Sequence, residues 1–137
     1  MKNKVLVIAL ALVLVFSCTA AAFADSGVQP YDTGRVDFII ERTSGTTAEV
    51  DVVVHFTNVA DEYSVVVYLQ KLVNGSWKND NTNPEYVFYN NGFNSTLCHF
   101  AHNYDSLSYG TTYRLMVVSR DKYSTQEYRV TTYSNSF

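Results

Sequence analysis

The stretch that most constrains the fold of this chain runs from Leu107 to Val118. It places a leucine, a glycine and a tyrosine in order, at Leu107, Gly110 and Tyr113. After the tyrosine, apolar and more polar positions alternate with a period of two residues, which is the pattern of a half-buried strand. A tyrosine at the start of such a strand can bury its ring and return its hydroxyl to the backbone just upstream. The stretch therefore predicts a structural corner between two layers of strands, with no chemical role of its own.

The same stretch resembles the Leu-x-Pro-Gly-Thr-x-Tyr corner of fibronectin type III domains. Leu107, Gly110, Thr111 and Tyr113 match in place, and Tyr109 stands where that family has proline. Elsewhere, valine, threonine and aromatic residues alternate in short segments separated by turn residues. We therefore expect an all-β fold, a single antiparallel β-sandwich of the immunoglobulin-like or fibronectin type III-like kind, with about seven strands.

Turn-forming residues divide the alternating segments into separate predicted strands. Asn58 to Glu62 and Asn90 to Gly92 each predict a reversal of the chain, so the segments on either side count as different strands. Asn74-Gly75 is a strong signal for a tight hairpin. The polar run from Lys78 to Pro84 predicts a loop that contributes nothing to the core.

The first residues have the composition of a secretory signal peptide. Lys2 and Lys4 precede an apolar run, and Ala22-Phe23-Ala24 supplies small residues before a cleavage point at Asp25. The apolar run holds about twelve residues, too few to span a bilayer. We expect a signal peptide over residues 1–24, a flexible leader over 25–34 and the sandwich domain over 35–137, in a protein secreted to the extracellular space.

The sequence predicts a different chemical state for each of the two cysteines. Val15-Phe16-Ser17-Cys18 approximates a lipoprotein cleavage box, but the bulky Phe16 stands where a small residue is usual. A lipoprotein anchored through Cys18 is therefore the less favoured alternative to a released protein. Removal of the signal peptide leaves Cys98 as the remaining cysteine, so no internal disulfide is expected.

The charge of the chain argues against nucleic acid and anionic membranes as partners. The formal net charge is −3, and removal of Lys2 and Lys4 makes it more negative. Recognition of nucleic acid or anionic lipid depends on a cluster of basic residues, and the sequence has none. We expect no stable membrane insertion and no cofactor.

Zinc takes cysteine and histidine ligands in a tetrahedral array, and the candidates in this sequence are Cys98, His99 and His102, with His55 as a fourth ligand. On a strand, neighbouring residues point to opposite faces, which places Cys98 inward and His99 outward. We therefore predict no metal site, a buried and inert thiol, and surface positions for His55 and His99.

The sequence also predicts no catalysis, because it contains no Gly-x-Ser-x-Gly elbow and no cysteine-protease signature. Metal-dependent or thiol-sensitive turnover would instead favour a small hydrolase.

Five aromatic residues cluster in sequence around the polar loop and are the candidates for a binding surface: Trp77, Tyr86, Phe88, Tyr89 and Phe93. Exposed aromatic rings stack on sugars and anchor protein partners. The alternative, which we favour, is that Trp77 and every second residue from Tyr86 to Tyr89 pack inward. Aromatic residues make up 15% of the chain, more than one inner face can hold, so some rings are expected at the surface.

Several short segments resemble a group of small secreted single-domain proteins of Gram-positive bacteria with no assigned function. The matching segments are Leu69 to Lys71, Asn74 to Lys78, Gly110 to Arg114, Glu127 and Thr132 to Ser134. The resemblance implies secretion and a single sandwich domain, and it implies no catalytic residue.

The expected function is that of a secreted, non-catalytic sandwich protein acting by surface contact with another protein or the cell envelope. The alternative is a carbohydrate-binding module that uses the aromatic residues from Trp77 to Phe93. Under these two interpretations together, the expected partner of the chain is an unidentified protein or glycan at the cell surface. Self-association is not predicted.

Overall fold

The computed structural model describes residues 33–137, so the predicted signal peptide and most of the predicted leader lie outside the described residues. Regular structure in this part of the chain is all β. The strands are β1 (Thr33–Glu41), β2 (Ala48–Val73), β3 (Ser76–Asn79), β4 (Val87–Tyr104), β5 (Tyr113–Tyr123) and β6 (Gln126–Tyr133). Across these residues, no helix has the length and apolar character needed to cross a membrane.

The long strand β2 organises one curled antiparallel sheet. Its first half pairs with β1 on one side and with the second half of β4 on the other. Its second half pairs with β5 on one side, and with β3 and the first half of β4 on the other. β6 pairs with β5. The two halves of β2 therefore belong to different sets of neighbouring strands.

The prediction of a turn from Asn58 to Glu62 is wrong, because β2 continues through these residues. The pairing of β2 with β4 shifts register between His55 and Ala60. Such an irregularity leaves extra residues on one strand and bends it, which lets a strand change direction without ending. This bend separates the two halves of β2.

The predicted turn from Asn90 to Gly92 is also wrong, because these residues lie inside β4. Gly92 is paired directly with Tyr63 of β2. A Cβ atom at Gly92 would lie only 2.6 Å from the Tyr63 hydroxyl oxygen. The glycine therefore accommodates a tyrosine ring across the sheet, as glycines in strands often do where another group approaches closely.

Two pairs of predicted strands are each continuous, and the described residues form six strands where about seven were expected. The hairpin at Asn74-Gly75 has positive φ angles at both residues, 51° and 77°. These angles are those of a type I′ turn, which matches the twist of the strands that it joins.

Alternating side chains of both halves of β2, of β4 and of β5 form one buried cluster. Its largest fully buried members are Tyr104, Tyr113, Leu69, Leu115, Val52, Val54, Val65, Val67 and Val117. Burial of these apolar side chains stabilises the fold by roughly 25 cal/mol for each Å² of apolar surface removed from water. The curled sheet thus encloses the core with the inward faces of both halves of β2.

The polar loop after β3 contributes to the interior, contrary to the sequence prediction. Asp80 is only 2% exposed, and its backbone N–H donates to the carbonyl of Leu69 at 2.9 Å. Its carboxylate lies 2.7 Å from the Lys71 ammonium and accepts a hydrogen bond from the Thr82 hydroxyl. Burial alone would raise the pKa of Asp80, but the contacts with Lys71 and Thr82 hold it below its usual value of 3.8.

Candidate interaction surface

The corner around Tyr113 joins β5 to the rest of the fold. Leu107 is buried, Gly110 has a φ angle of 68°, and the Tyr113 ring is fully buried. The backbone N–H of Ser108 donates a hydrogen bond of 2.9 Å to the Tyr113 hydroxyl. The guanidinium of Arg42 lies 5.7 Å from the centre of the same ring. These residues hold the chain in place at a corner and offer no reactive group to solvent.

Each histidine lies beside a carboxylate. The Nε2 atoms are 3.0 Å (His55 to Asp37), 2.9 Å (His99 to Asp51) and 3.2 Å (His102 to Glu85) from a carboxylate oxygen. Residues 33–137 contain no group of three or more His, Cys, Asp or Glu side chains that could hold a metal ion. The residues weighed for a metal site are therefore dispersed in separate environments.

The Cys98 thiol is part of the buried cluster and is 2% exposed. Burial raises the pKa of this thiol, against the weaker opposing effect of hydrogen bonds from Tyr63 and Asn90. The thiolate is the nucleophilic form of cysteine. A buried thiol with a raised pKa is therefore a poor nucleophile.

The second half of β2, with β3, the first half of β4, β5 and β6, presents a continuous surface away from the core, here called the outer face. Residues directly opposite each other in paired strands share a face. The register assigns to the outer face Glu62, Ser64, Val66, Tyr68, Gln70, Leu72, Trp77, Asn79, Val87, Tyr89, Asn91, Phe93, Arg114, Met116, Val118, Arg120, Lys122, Glu127, Arg129, Thr131 and Tyr133.

Arg114 lies at one end of the outer face between two aromatic rings. Its guanidinium is 4.4 Å from the centre of the Trp77 ring and 4.1 Å from the centre of the Tyr133 ring. Its Nε donates a hydrogen bond of 2.9 Å to Gln70, whose amide in turn donates to Asn79. This arrangement, here called the arginine stack, fixes a cation between two ring faces before any partner binds.

Apolar side chains continue across the middle of the outer face. The register aligns Val87, Tyr68, Met116 and Tyr133 in one row across four strands. Five large hydrophobic residues of the outer face are exposed: Leu72 (40%), Val87 (38%), Tyr89 (62%), Phe93 (70%) and Tyr133 (48%). The outer face therefore exposes apolar surface on a sheet whose other side already lines the core.

The structure divides the five aromatic residues singled out in the sequence into two sets. Trp77, Tyr89 and Phe93 lie on the outer face, so the favoured prediction that Trp77 packs inward is wrong. Tyr86 and Phe88 are half-buried and pack against the core, where the Phe88 ring contacts three neighbouring rings. The outer aromatic residues are therefore available to a partner, and the inner pair stabilises the fold.

The outer face also differs in charge from the rest of the chain. Arg114, Arg120, Lys122 and Arg129 lie on it, against Glu62 and Glu127. Over the whole chain, acidic residues outnumber basic ones by 13 to 10. Basic side chains are thus concentrated on the same surface as the exposed aromatic rings.

Sequence reasoning missed the arginine stack, although part of its signal was present. The alternation after Tyr113 places Tyr113, Leu115 and Val117 inward, which leaves Arg114 on the opposite face. Its ring partners come from two other strands, so their approach could be found only once the sheet register was known.

Comparison of the chain with protein-family models, with curated proteins and with solved structures finds no match. The chemistry of the outer face is therefore inferred from its own side chains. It combines an arginine held between two aromatic rings with an apolar band, and arginine and aromatic residues are enriched in protein interfaces.

Proposed function

We propose that the chain is a secreted, non-catalytic protein with an immunoglobulin-like or fibronectin type III-like β-sandwich. It acts by surface contact of its outer face with another protein or the cell envelope. The pairing of β2 supports the sandwich, because its first half pairs with β1 and its second half with β5, and both halves bury side chains in one cluster. The hydrogen bond from Ser108 to the Tyr113 hydroxyl supports the corner typical of such folds.

The observation that carries the contact function is the apolar and aromatic outer face. An antiparallel sheet with one face on the core commonly has polar side chains on its solvent face. Here Tyr89, Phe93 and Tyr133 are exposed together with aliphatic neighbours on that face. Contiguous exposed apolar surface marks sites of interaction in monomeric proteins.

The arginine stack has the properties of an anchor for a partner. Tryptophan, tyrosine and arginine dominate the energetically important residues of protein interfaces. Trp77, Tyr133 and Arg114 are already held in contact, so little side-chain freedom remains to be lost on binding. The excess of basic side chains on the outer face favours a partner that carries acidic groups.

Cys98 supports the non-catalytic part of the proposal, and the first residues of the sequence support secretion. The buried Cys98 thiol has a raised pKa, which disfavours the reactive thiolate. The predicted signal peptide at residues 1–24 supports export.

We expect Trp77→Ala and Tyr133→Ala each to weaken binding to purified envelopes of a Gram-positive bacterium by roughly tenfold or more. Each substitution removes one ring from the arginine stack and exposes less apolar surface. The measurement is co-sedimentation of the purified chain with whole envelopes and with protein-free cell-wall sacculi. The two preparations separate an envelope protein from the wall polymer as the partner.

Ile39→Ala is the matched control, because Ile39 is 72% exposed but lies on β1, outside the outer face. It should leave co-sedimentation unchanged. Equal losses in Ile39→Ala and Trp77→Ala, or no loss in Trp77→Ala, would contradict the assignment of the outer face as the contact surface.

A further inference from the structure

A groove of about 270 Å³ lies at the end of the outer face opposite the arginine stack. Tyr89 and Phe93 of β4 border it on one side. Arg120 and Lys122 of β5 line it, together with Glu62 and Glu127. The groove has two kinds of lining, exposed aromatic rings and charged side chains in opposite pairs.

The aromatic border offers two stacking positions in line. Tyr89 and Phe93 are 62% and 70% exposed and lie on the same face of β4. At about 3.3 Å per residue of strand, their Cα atoms are separated by roughly 13 Å. Asn91, with an amide that both donates and accepts hydrogen bonds, lies between them on that face. Two flat rings at this spacing suit an extended ligand with repeated apolar surfaces better than a single small ring.

Four of the five charged side chains that line the groove form two ion pairs, and the fifth, Asp121, is buried. Arg120 Nε lies 3.2 Å from Glu127, and Lys122 Nζ lies 3.9 Å from Glu62. All four side chains are about half exposed, so each ion pair is worth little and is open to competing hydrogen bonds. The pairs leave spare N–H donors on the cations and spare lone pairs on the carboxylates. Such a lining offers hydrogen bonds to hydroxyl groups and has no excess of basic side chains that would attract an anion.

We propose that this groove binds a neutral oligosaccharide, with sugar faces stacked on Tyr89 and Phe93 and hydroxyl groups bound by Asn91 and the Arg120–Glu127 pair. The proposal rests on the proposed function, because it takes the outer face as the contact surface. It names the ligand of one end of that face. The arginine stack, at the other end, remains the anchor for the wider contact.

The test is isothermal titration of the purified chain with neutral hexasaccharides, namely cellohexaose, laminarihexaose and mannohexaose, and with hexagalacturonate as an anionic probe. We expect at least one neutral hexasaccharide to bind and hexagalacturonate to bind no better. Tyr89→Ala and Phe93→Ala should each weaken the binding roughly tenfold through loss of a stacked ring. Far-ultraviolet circular dichroism checks that each variant is folded.

Trp77→Ala is the matched control, because it removes an aromatic ring of the outer face outside the groove. It should leave hexasaccharide binding unchanged while weakening envelope binding. The proposal is overturned if no neutral hexasaccharide binds, if only hexagalacturonate binds, or if Trp77→Ala lowers the affinity as much as Phe93→Ala. Loss of envelope binding in Trp77→Ala without any hexasaccharide binding would reject the groove alone. Unchanged envelope binding in Trp77→Ala would reject the proposed function.

Discussion

Replacing Lys71 with alanine is expected to lower the free energy of unfolding by about 3 to 5 kcal/mol, because the buried Asp80 carboxylate loses its cation. The Lys71 ammonium lies 2.7 Å from that carboxylate, whose side chain is only 3% exposed. A buried charge that loses its counter-ion is far more costly than an ion pair lost at the surface. Urea denaturation followed by circular dichroism measures the change.

Lys78→Ala provides the control for this experiment. Lys78 is the cross-strand partner of Lys71 and is exposed. Its replacement should change the free energy of unfolding by no more than about 0.5 kcal/mol. A Lys71→Ala variant as stable as Lys78→Ala would show that the buried pair adds nothing to the fold.

The Lys71–Asp80 ion pair makes the free energy of unfolding depend on pH in a predictable direction. The pKa of Asp80 is lower in the folded protein than its usual 3.8. A carboxyl group with a depressed folded pKa stabilises the fold above its unfolded pKa, and this stabilisation is lost as pH falls through the folded pKa. The difference in unfolding free energy between the wild type and Lys71→Ala should therefore be largest at neutral pH. It should narrow as the pH falls below 3.8.

Replacing Tyr113 with alanine is expected to lower the free energy of unfolding by about 3 to 5 kcal/mol, the usual range for removal of a large buried aromatic side chain. The ring is fully buried and is stacked 6.2 Å from the Phe137 ring. Tyr113→Phe keeps the ring but removes the hydroxyl that accepts from the Ser108 N–H and hydrogen-bonds the buried Asp80 carboxylate, at a cost of about 1 to 3 kcal/mol. Thermal and urea unfolding measure both values.

Tyr109→Phe is the control for the hydroxyl. Tyr109 is 85% exposed, so loss of its hydroxyl should change stability by no more than about 0.5 kcal/mol. If Tyr113→Phe and Tyr109→Phe were equally stable, the hydrogen bond at the corner would have no part in holding β5 in place.

The all-β character of the fold was predictable because local alternation determines which residues of a strand face the core. Val50, Val52 and Val54 are buried and alternate with Glu49, Asp51 and Val53, which are exposed or only partly buried. The continuity of β4 was not predictable, because Gly92 has the local character of a turn residue. A glycine is required at position 92 because the Tyr63 side chain approaches it from the neighbouring strand, and that contact depends on the sheet register.

The candidate site was predictable only in part, for the same reason. The sequence singled out Trp77, Tyr89 and Phe93, but the ordering of Trp77 by Arg114 depends on a contact between distant strands. Burial of Asp80 was missed because a polar loop gives no local sign that its carboxylate meets Lys71 inside the fold. Long-range pairing, which local patterns do not encode, accounts for both omissions.

Hydroxyl-radical footprinting of the chain, free and bound to purified Gram-positive envelopes, tests the central claim most directly, because it reports side-chain exposure residue by residue. The outer face as contact surface predicts that oxidation of Trp77, Tyr89 and Tyr133 falls on binding. Tyr109 and Ile39, exposed away from that face, should be oxidised at unchanged rates. Protection of Tyr109 and Ile39, with Trp77 and Tyr133 as reactive as in the free protein, would contradict the account.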